Sequence, residues 1–255
     1  EQMLRFPLAT LIRFCRNHGL LQIADRPQWH TVRDGARCYV EKMLESIADA
    51  RLNTAVRSIR RLPTGGVDVS TDAGTERFDA VILACHSDQA LALLADPSDE
   101  EREVLGAIRY QRNRAILHTD RHVLPLRKAA WAAWNYERAP GSDGDQPAVC
   151  LHYLINRLQP LPFKVPVIVS LNPIQEPDGA CVQGEFHYAH PVFDRRAIAG
   201  QARLPSLQGR GGTWFCGAWG GYGFHEDGLV SALAVCERLG PELARRAGAA
   251  TGARA

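Results

Sequence analysis

Thr213-Trp-Phe-Cys-Gly-Ala-Trp-Gly-Gly-Tyr-Gly-Phe-His-Glu-Asp-Gly228, continuing into residues 229–239, is the stretch on which the fold turns. Residues 213–216 are short and apolar, as in a buried strand. Gly217, Gly220, Gly221 and Gly223 then make a loop with little side-chain bulk. After Asp227-Gly228 the spacing turns helical, with Leu229, Leu233, Val235, Cys236 and Leu239 on or near one face. A strand, a glycine turn and a helix start let backbone approach a ligand closely. The amide groups and positive dipole end of such a helix attract whatever negative group lies there.

The rest of the chain is long enough, at 255 residues, to bury one large core or two small ones. A hydrophobic fraction of 45% and a charged fraction of 23% are those of a globular protein in water. A net charge of +2 makes no case for a nucleic-acid partner. The seven cysteines are scattered, odd in number and form no Cys-x-x-Cys pair, which points to reduced thiols and a cytoplasmic location. No apolar run reaches the ~20 residues of a membrane helix, though peripheral membrane contact stays open. The opening Glu-Gln-Met-Leu-Arg-Phe-Pro has no signal-peptide layout, and the absent initial Met suggests an excised piece.

In order, residues 3–18 read as an amphipathic helix with Leu4, Leu8, Leu11, Ile12 and Cys15 inward, stopped by Gly19. Residues 26–35 are a connector, and a second helix spans 36–50. The period then falls to two: strands at 54–62, 67–70 and 76–78 are separated by Gly65-Gly66 and Asp72-Ala-Gly74 turns. Residues 79–84, Asp-Ala-Val-Ile-Leu-Ala, form a continuous apolar run expected of a strand buried on both faces, with a helix at 88–94 after it. Ser98-Asp-Glu-Glu101 is a capping box. Strands follow at 108–119, 131–136, 149–155, 165–171 and 181–188, broken by Pro- and Gly-rich connectors such as 138–147.

The glycine segment resembles the C-terminal flavin-binding motif of the amine oxidase / phytoene desaturase / protoporphyrinogen oxidase superfamily. More closely, the chain is similar to bacterial flavoproteins of that superfamily described as NAD/FAD-binding. Residues 79–84, the meander before them, Asn113, Leu117-His118-Thr119-Asp120, Trp131, Trp134-Asn135-Tyr136 and Leu171-Asn172-Pro173 resemble patterns of the same group, so residues 6–240 carry the likeness. The resemblance implies that the last strand ends at Gly217 and that the next helix points at the ribityl chain and pyrimidine edge of FAD. It implies cofactor contacts from Val56, Ala84, Gly217, Ala218, Glu226, Asp227, Gly228 and Leu229. Ala218 stands where many relatives carry an acid.

A Rossmann FAD domain also needs a Gly-x-Gly-x-x-Gly turn after a strand, with an acid ~20 residues on. No glycine cluster here has that spacing and context. FAD held by this chain alone would lack its pyrophosphate cradle, so weak or no binding is expected of it.

His225, Glu226, Trp219 and Tyr222 are the candidates for a catalytic or substrate-facing role. Plainer readings stand beside them: Asp227 as an N-cap, His225 and Glu226 as capping or core hydrogen-bonders, and Trp219, Tyr222 and Phe224 as packed anchors. His187-x-x-His190 lacks a third ligand in the sequence, and no metal site is expected.

The expected architecture is α+β, an incomplete α/β FAD-binding fold: part of a Rossmann-like FAD domain plus an inserted, mainly antiparallel β-sheet substrate domain. Residues 1–34 would be a helical part of the substrate domain, 35–96 an FAD-domain segment and 97–205 the substrate sheet. Residues 206–240 would be the FAD-binding strand, loop and helix, and 241–255 a disordered tail. The expected function is that of an FAD-dependent oxidoreductase moving hydride from a substrate C–H to flavin N5, its small-molecule substrate a lipid, an isoprenoid or an amine. The alternatives are a redox-silent binding module that kept the fold and a true amine oxidase.

Overall fold

The computed structural model describes residues 7–17, 19–25, 27–28, 30–139 and 149–252. The chain divides into two compact units. The first holds Ile23–Ala50 and Gln111–His190, and the second holds Gln2–Gln22, Arg51–Tyr110 and Pro191–Ala255.

In the second unit, β1 (Val56–Arg61), β2 (Val67–Thr71) and β3 (Gly74–Phe78) form an antiparallel meander in register Arg61↔Val67 and Thr71↔Gly74. Gly65 and Gly66 turn the first hairpin at φ 86° and 85°, a conformation side chains resist. β4 (Val81–Leu83) follows, then α1 (Ser87–Leu93) and α2 (Asp99–Leu105). α2 starts in the expected capping box: Ser98 Oγ accepts from the Glu101 amide, and the Glu101 carboxylate accepts from the Ser98 amide at 2.8 Å. A helix of this unit lacking a sequence signal, α3 (Arg195–Arg203), is capped by Asp194, whose Oδ1 accepts from the Ala197 amide at 2.9 Å.

β10 (Thr213–Phe215) pairs in parallel with β4, Trp214 opposite Ile82. The outer edge of β10 is closed by a side chain: Gln208 Oε1 accepts from the Phe215 amide at 2.9 Å and Gln208 Nε2 donates to its carbonyl at 2.6 Å. The core here joins Ile59, Val67, Leu83, Leu105, Ile108, Leu207, Phe215 and Trp219. Residues 79–84 are not buried on both faces as the apolar run suggested. Leu83 and Val81 face the core, whereas Ile82 is 41% exposed.

The long C-terminal helix, α4 (His225–Gly252), begins earlier than the change of period at Gly228 implied, so Glu226, Asp227 and Gly228 lie in its first turn. It also continues to Gly252, through Pro241, where a tail was expected from 241. Val235, Ala232 and Leu239 turn toward Trp214 and Cys216, while Leu229, Val230 and Leu233 are exposed. The helix Leu8–Asn17 ends at Gly19 as expected, at φ 63°, but its Leu8, Leu11 and Ile12 are exposed. Met3–Phe6 and His18 lie outside the described residues.

The first unit is built on a five-stranded sheet, order β6 (Trp134–Arg138), β7 (Val149–Leu154), β8 (Ile168–Leu171), β5 (Arg109–His118), β9 (Val182–Val192). The pairs β6–β7, β7–β8 and β8–β5 are antiparallel. The alternation of the strands gives one face Asn135, Cys150, His152, Leu154, Ile168, Ser170, Ile116 and His118, all buried. The helix Arg37–Leu44 is shorter than the expected 36–50 and has no buried residue; Val40, Met43 and Ile47 are exposed. In both under-covered helices the spacing correctly reported an apolar stripe, but spacing does not say what lies over it.

Candidate functional site

The glycine loop is held from three directions. Gly217 sits at φ 152°, and a Cβ there would come within 2.5 Å of the Trp219 indole nitrogen, so only glycine lets the indole fold back. Buried Trp219 donates Nε1–H to the Cys85 carbonyl at 3.0 Å, tying the loop to the end of β4. Gln201 on α3 donates to the Trp219 and Gly221 carbonyls, both at 2.7 Å. The Ala218 carbonyl accepts from the Gly221 and Gly223 amides at 3.1 and 3.0 Å.

The start of α4 closes back onto this loop. Asp227 Oδ2 accepts from the Phe224 amide at 2.9 Å, while a Cβ at Gly221 would collide with the same carboxylate. The acid is therefore a capping residue from inside the first turn, not the residue ahead of it. Ser231 Oγ accepts from the Gly217 amide and donates to the Gly228 carbonyl, each at 2.9 Å. Gly228 is different from its neighbours: a Cβ there meets nothing nearer than the Ala218 backbone nitrogen at 3.8 Å. The chain's own packing does not require glycine at 228, although glycine costs a helix about 0.5–1 kcal/mol relative to alanine.

The structure brings Gly217, Ala218, Trp219, Gly228 and Asp227 together around this turn. His225, Glu226 and Leu229 are exposed on the first turn of α4, and Tyr222 is half-buried. Phe14 lies against Phe224, ring centres 5.6 Å apart, and against Tyr222 at 6.1 Å. A cleft of about 210 Å³ beside the loop is lined by Arg13, Phe193, Gln201, Gly221 and Tyr222 among others. That is below the ~300–1,000 Å³ of common ligand pockets. Val56 opens β1 at an irregularity in its pairing with β2, and Ala84 is exposed just past β4.

A second polar cluster, absent from the sequence expectations, crosses four strands of the first unit. Ser170 Oγ lies 2.7 Å from His118 Nε2 and 2.6 Å from His152 Nδ1, and His152 Nε2 lies 3.0 Å from Glu137 Oε2. Cys150 Sγ is 3.4 Å from His152 Nε2. The Asp120 amide donates to His118 Nδ1 at 3.2 Å, which fixes the protons along the row. His118 then donates from Nε2 to Ser170, Ser170 to His152 Nδ1, and His152 from Nε2 to Glu137. Burial keeps His118 below the ordinary imidazole pKa and pushes the Cys150 thiol up to about 11. The Glu137, Cys150 and His152 ligand atoms lie within 4.8 Å of one another. The signal for this cluster was the two-residue spacing Cys150-x-His152, but its partners come from other strands. His187 and His190, weighed as a metal pair, go separate ways: His187 is exposed near Glu185, and His190 Nδ1 meets Asn113 Nδ2 at 2.8 Å.

Comparison with solved structures shows the same fold elsewhere. A fatty acid isomerase from P. acnes that produces CLA matches with a TM-score of 0.55 at 17% identity, over 91% of this chain and 56% of that one. A protein from Exiguobacterium described as a protoporphyrinogen oxidase matches with a TM-score of 0.55 at 15% identity, over 92% of this chain and 58% of that one. A putrescine oxidase variant matches with a TM-score of 0.51 at 12% identity, over 80% and 53%. The chain thus spans little more than half the length of these structures. No curated protein matches it. The family model described as flavin containing amine oxidoreductase matches residues 4–159, a segment that excludes the glycine loop and covers more than half of the sequence. The chain belongs to the flavin containing amine oxidoreductase family.

Proposed function

We propose that this chain is part of an FAD-dependent oxidoreductase and that the α4 start faces the pyrimidine edge of the flavin. The observation that carries the reading is Gly228, a helical glycine that the chain's own packing does not use. A residue without a side chain on the first turn leaves room for a ring to approach the helix end. The Glu226 and Asp227 amides open that helix, and its dipole favours negative charge gathering there. Gly217 and Ala218 would offer backbone only, the first because its conformation excludes side chains and the second because it carries no acid.

When bound, FAD supplies the hydride-accepting chemistry. The chain's part is to orient, stabilise charge and shape the entrance. Trp219 and Gln201 hold the loop, while Tyr222, Phe224 and His225 stand at its exposed side. The substrate class favoured is a lipid or isoprenoid chain, in keeping with the fatty acid isomerase among the fold relatives; an amine is the runner-up. This chain by itself, with a 210 Å³ cleft beside the loop, is expected to hold FAD weakly or not at all.

The test is flavin content. A longer protein that includes this chain and a glycine-rich phosphate cradle should purify yellow, and Gly228→Val should lower its flavin occupancy. A colourless protein, or full occupancy in Gly228→Val, would sink the reading and favour a redox-silent module.

A further inference from the structure

We infer that the first unit carries a binding site for a thiophilic divalent cation, of the Zn²⁺ class, formed by Glu137, Cys150 and His152. The site lies entirely in the five-stranded sheet and is independent of the flavin reading. Register creates it: Glu137 is paired with Cys150 across β6 and β7, and His152 is two residues along β7 on the same face. Three different donor types, a carboxylate, a thiol and an imidazole, converge where Cys150 and His152 are buried and Glu137 keeps access to solvent.

The separations fit a tetrahedral ion. Zinc bonds of about 2.3 Å to sulfur and 2.0–2.1 Å to nitrogen and oxygen set S···N and N···O edges of ~3.5 and ~3.3 Å. The corresponding pairs here are 3.4 and 3.0 Å, within a few tenths of an ångström of those edges, and the third, Cys150 Sγ to the Glu137 carboxylate, lies within 4.8 Å. Glu137, on the edge strand, can make the larger adjustment. Sulfur with nitrogen selects Zn²⁺ or a similar ion over Mg²⁺ and Ca²⁺, which take oxygen.

Support behind the ligands is already in place. Ser170 Oγ lies 2.6 Å from His152 Nδ1, the outer-ring contact that fixes orientation in metal-bound histidines. On loading, the Cys150 thiol releases its proton to solvent as the sulfur binds, the ion takes the place of the His152 Nε2 proton, and the imidazole proton moves to Nδ1, where Ser170 Oγ accepts it. The His152–Glu137 hydrogen bond gives way to the ion and the Ser170 hydroxyl loses His152 as its acceptor, against three bonds to the metal. Three protein ligands leave a fourth position for water. The ion would staple edge strand β6 to β7.

The experiment is a Co²⁺ titration of the full chain under reducing conditions, followed by Zn²⁺ competition. The expected result is one equivalent taken up, with tetrahedral d–d bands and a thiolate-to-cobalt charge-transfer band. Cys150→Ser, close in size and safe for folding, should abolish that band. Glu137→Gln and Ser170→Ala should each weaken Zn²⁺ binding by about tenfold or more, and His187→Ala should leave it unchanged. No stoichiometric uptake by a chain with native circular dichroism would overturn the proposal. So would a cobalt spectrum without the thiolate band, or binding unaltered in Cys150→Ser.

Discussion

The Asp227 carboxylate accepts the Phe224 amide at 2.9 Å while occupying the space a side chain at Gly221 would need. A single acid thus caps the long helix and sets the shape of the loop before it. Asp227→Ala should cost about 0.5–2 kcal/mol, read by urea unfolding. Gly221→Ala, which pushes the carboxylate off the amide, should destabilise by a similar amount. Equal stability of both variants with the parent would show that the cap contributes nothing.

Gly228 separates stability from cofactor binding. With its nearest neighbour 3.8 Å from an added Cβ, Gly228→Ala should stabilise the chain by about 0.5–1 kcal/mol, the difference between the two residues in a helix. In a flavin-binding protein containing this chain, the same change should lower FAD affinity. A loss of stability on thermal melting would mean that glycine serves the fold there.

Glu101 links a helix cap to a buried charge. Its carboxylate takes the Ser98 amide and also the Arg61 guanidinium, which donates to Thr213 Oγ1 as well, at 3.0 Å. Glu101 is 2% exposed, so removing it leaves Arg61 largely buried without its closest counter-charge. Glu101→Ala is expected to cost about 3–5 kcal/mol, whereas Ser98→Ala, which removes only a cap, should cost about 1 kcal/mol. Denaturant midpoints of the two variants give the comparison, and near-equal losses would refute the charge argument.

The row of polar groups in the sheet makes the first unit acid-sensitive. Desolvation lowers the pKa of His118, with Asp120 opposing and His152 reinforcing that shift. The unfolded chain therefore takes up this proton first, as pH falls below about 6.5. Stability contributed by neutral His118 is complete above that value and is lost progressively below it, until the native imidazole also protonates. Asp120 is held low chiefly by the Asp178 amide, so its share is lost at more acid pH, below about 3.9. His118→Gln should flatten the upper part of the stability-against-pH curve only. An unchanged curve would show that His118 titrates alike in both states.

Ser170 is the joint of that row. Ser170→Ala leaves the His118 Nε2–H and the His152 Nδ1 without their partner in a buried setting, at a cost of about 1–3 kcal/mol. Chemical denaturation of the metal-free chain measures it, and a loss under a few tenths of a kcal/mol would count against the row as a connected unit.

Local chemistry was legible in the sequence by itself wherever the cause is local. The meander, the capping box at Ser98, the left-handed stop at Gly19 and the strand–loop–helix order after Thr213 each depend on residues within a few positions of one another. Helix α3 escaped because Asp194 caps a segment whose apolar spacing is weak. Only the tertiary structure decided that Val81–Leu83 pair in parallel with a strand 132 positions later, that Arg61 answers Glu101, and that Glu137, Cys150, His152, Ser170 and His118 form one row. Those relationships come from strand register and chain crossing, and periodicity along a sequence records which face a residue takes but not what meets it across the gap.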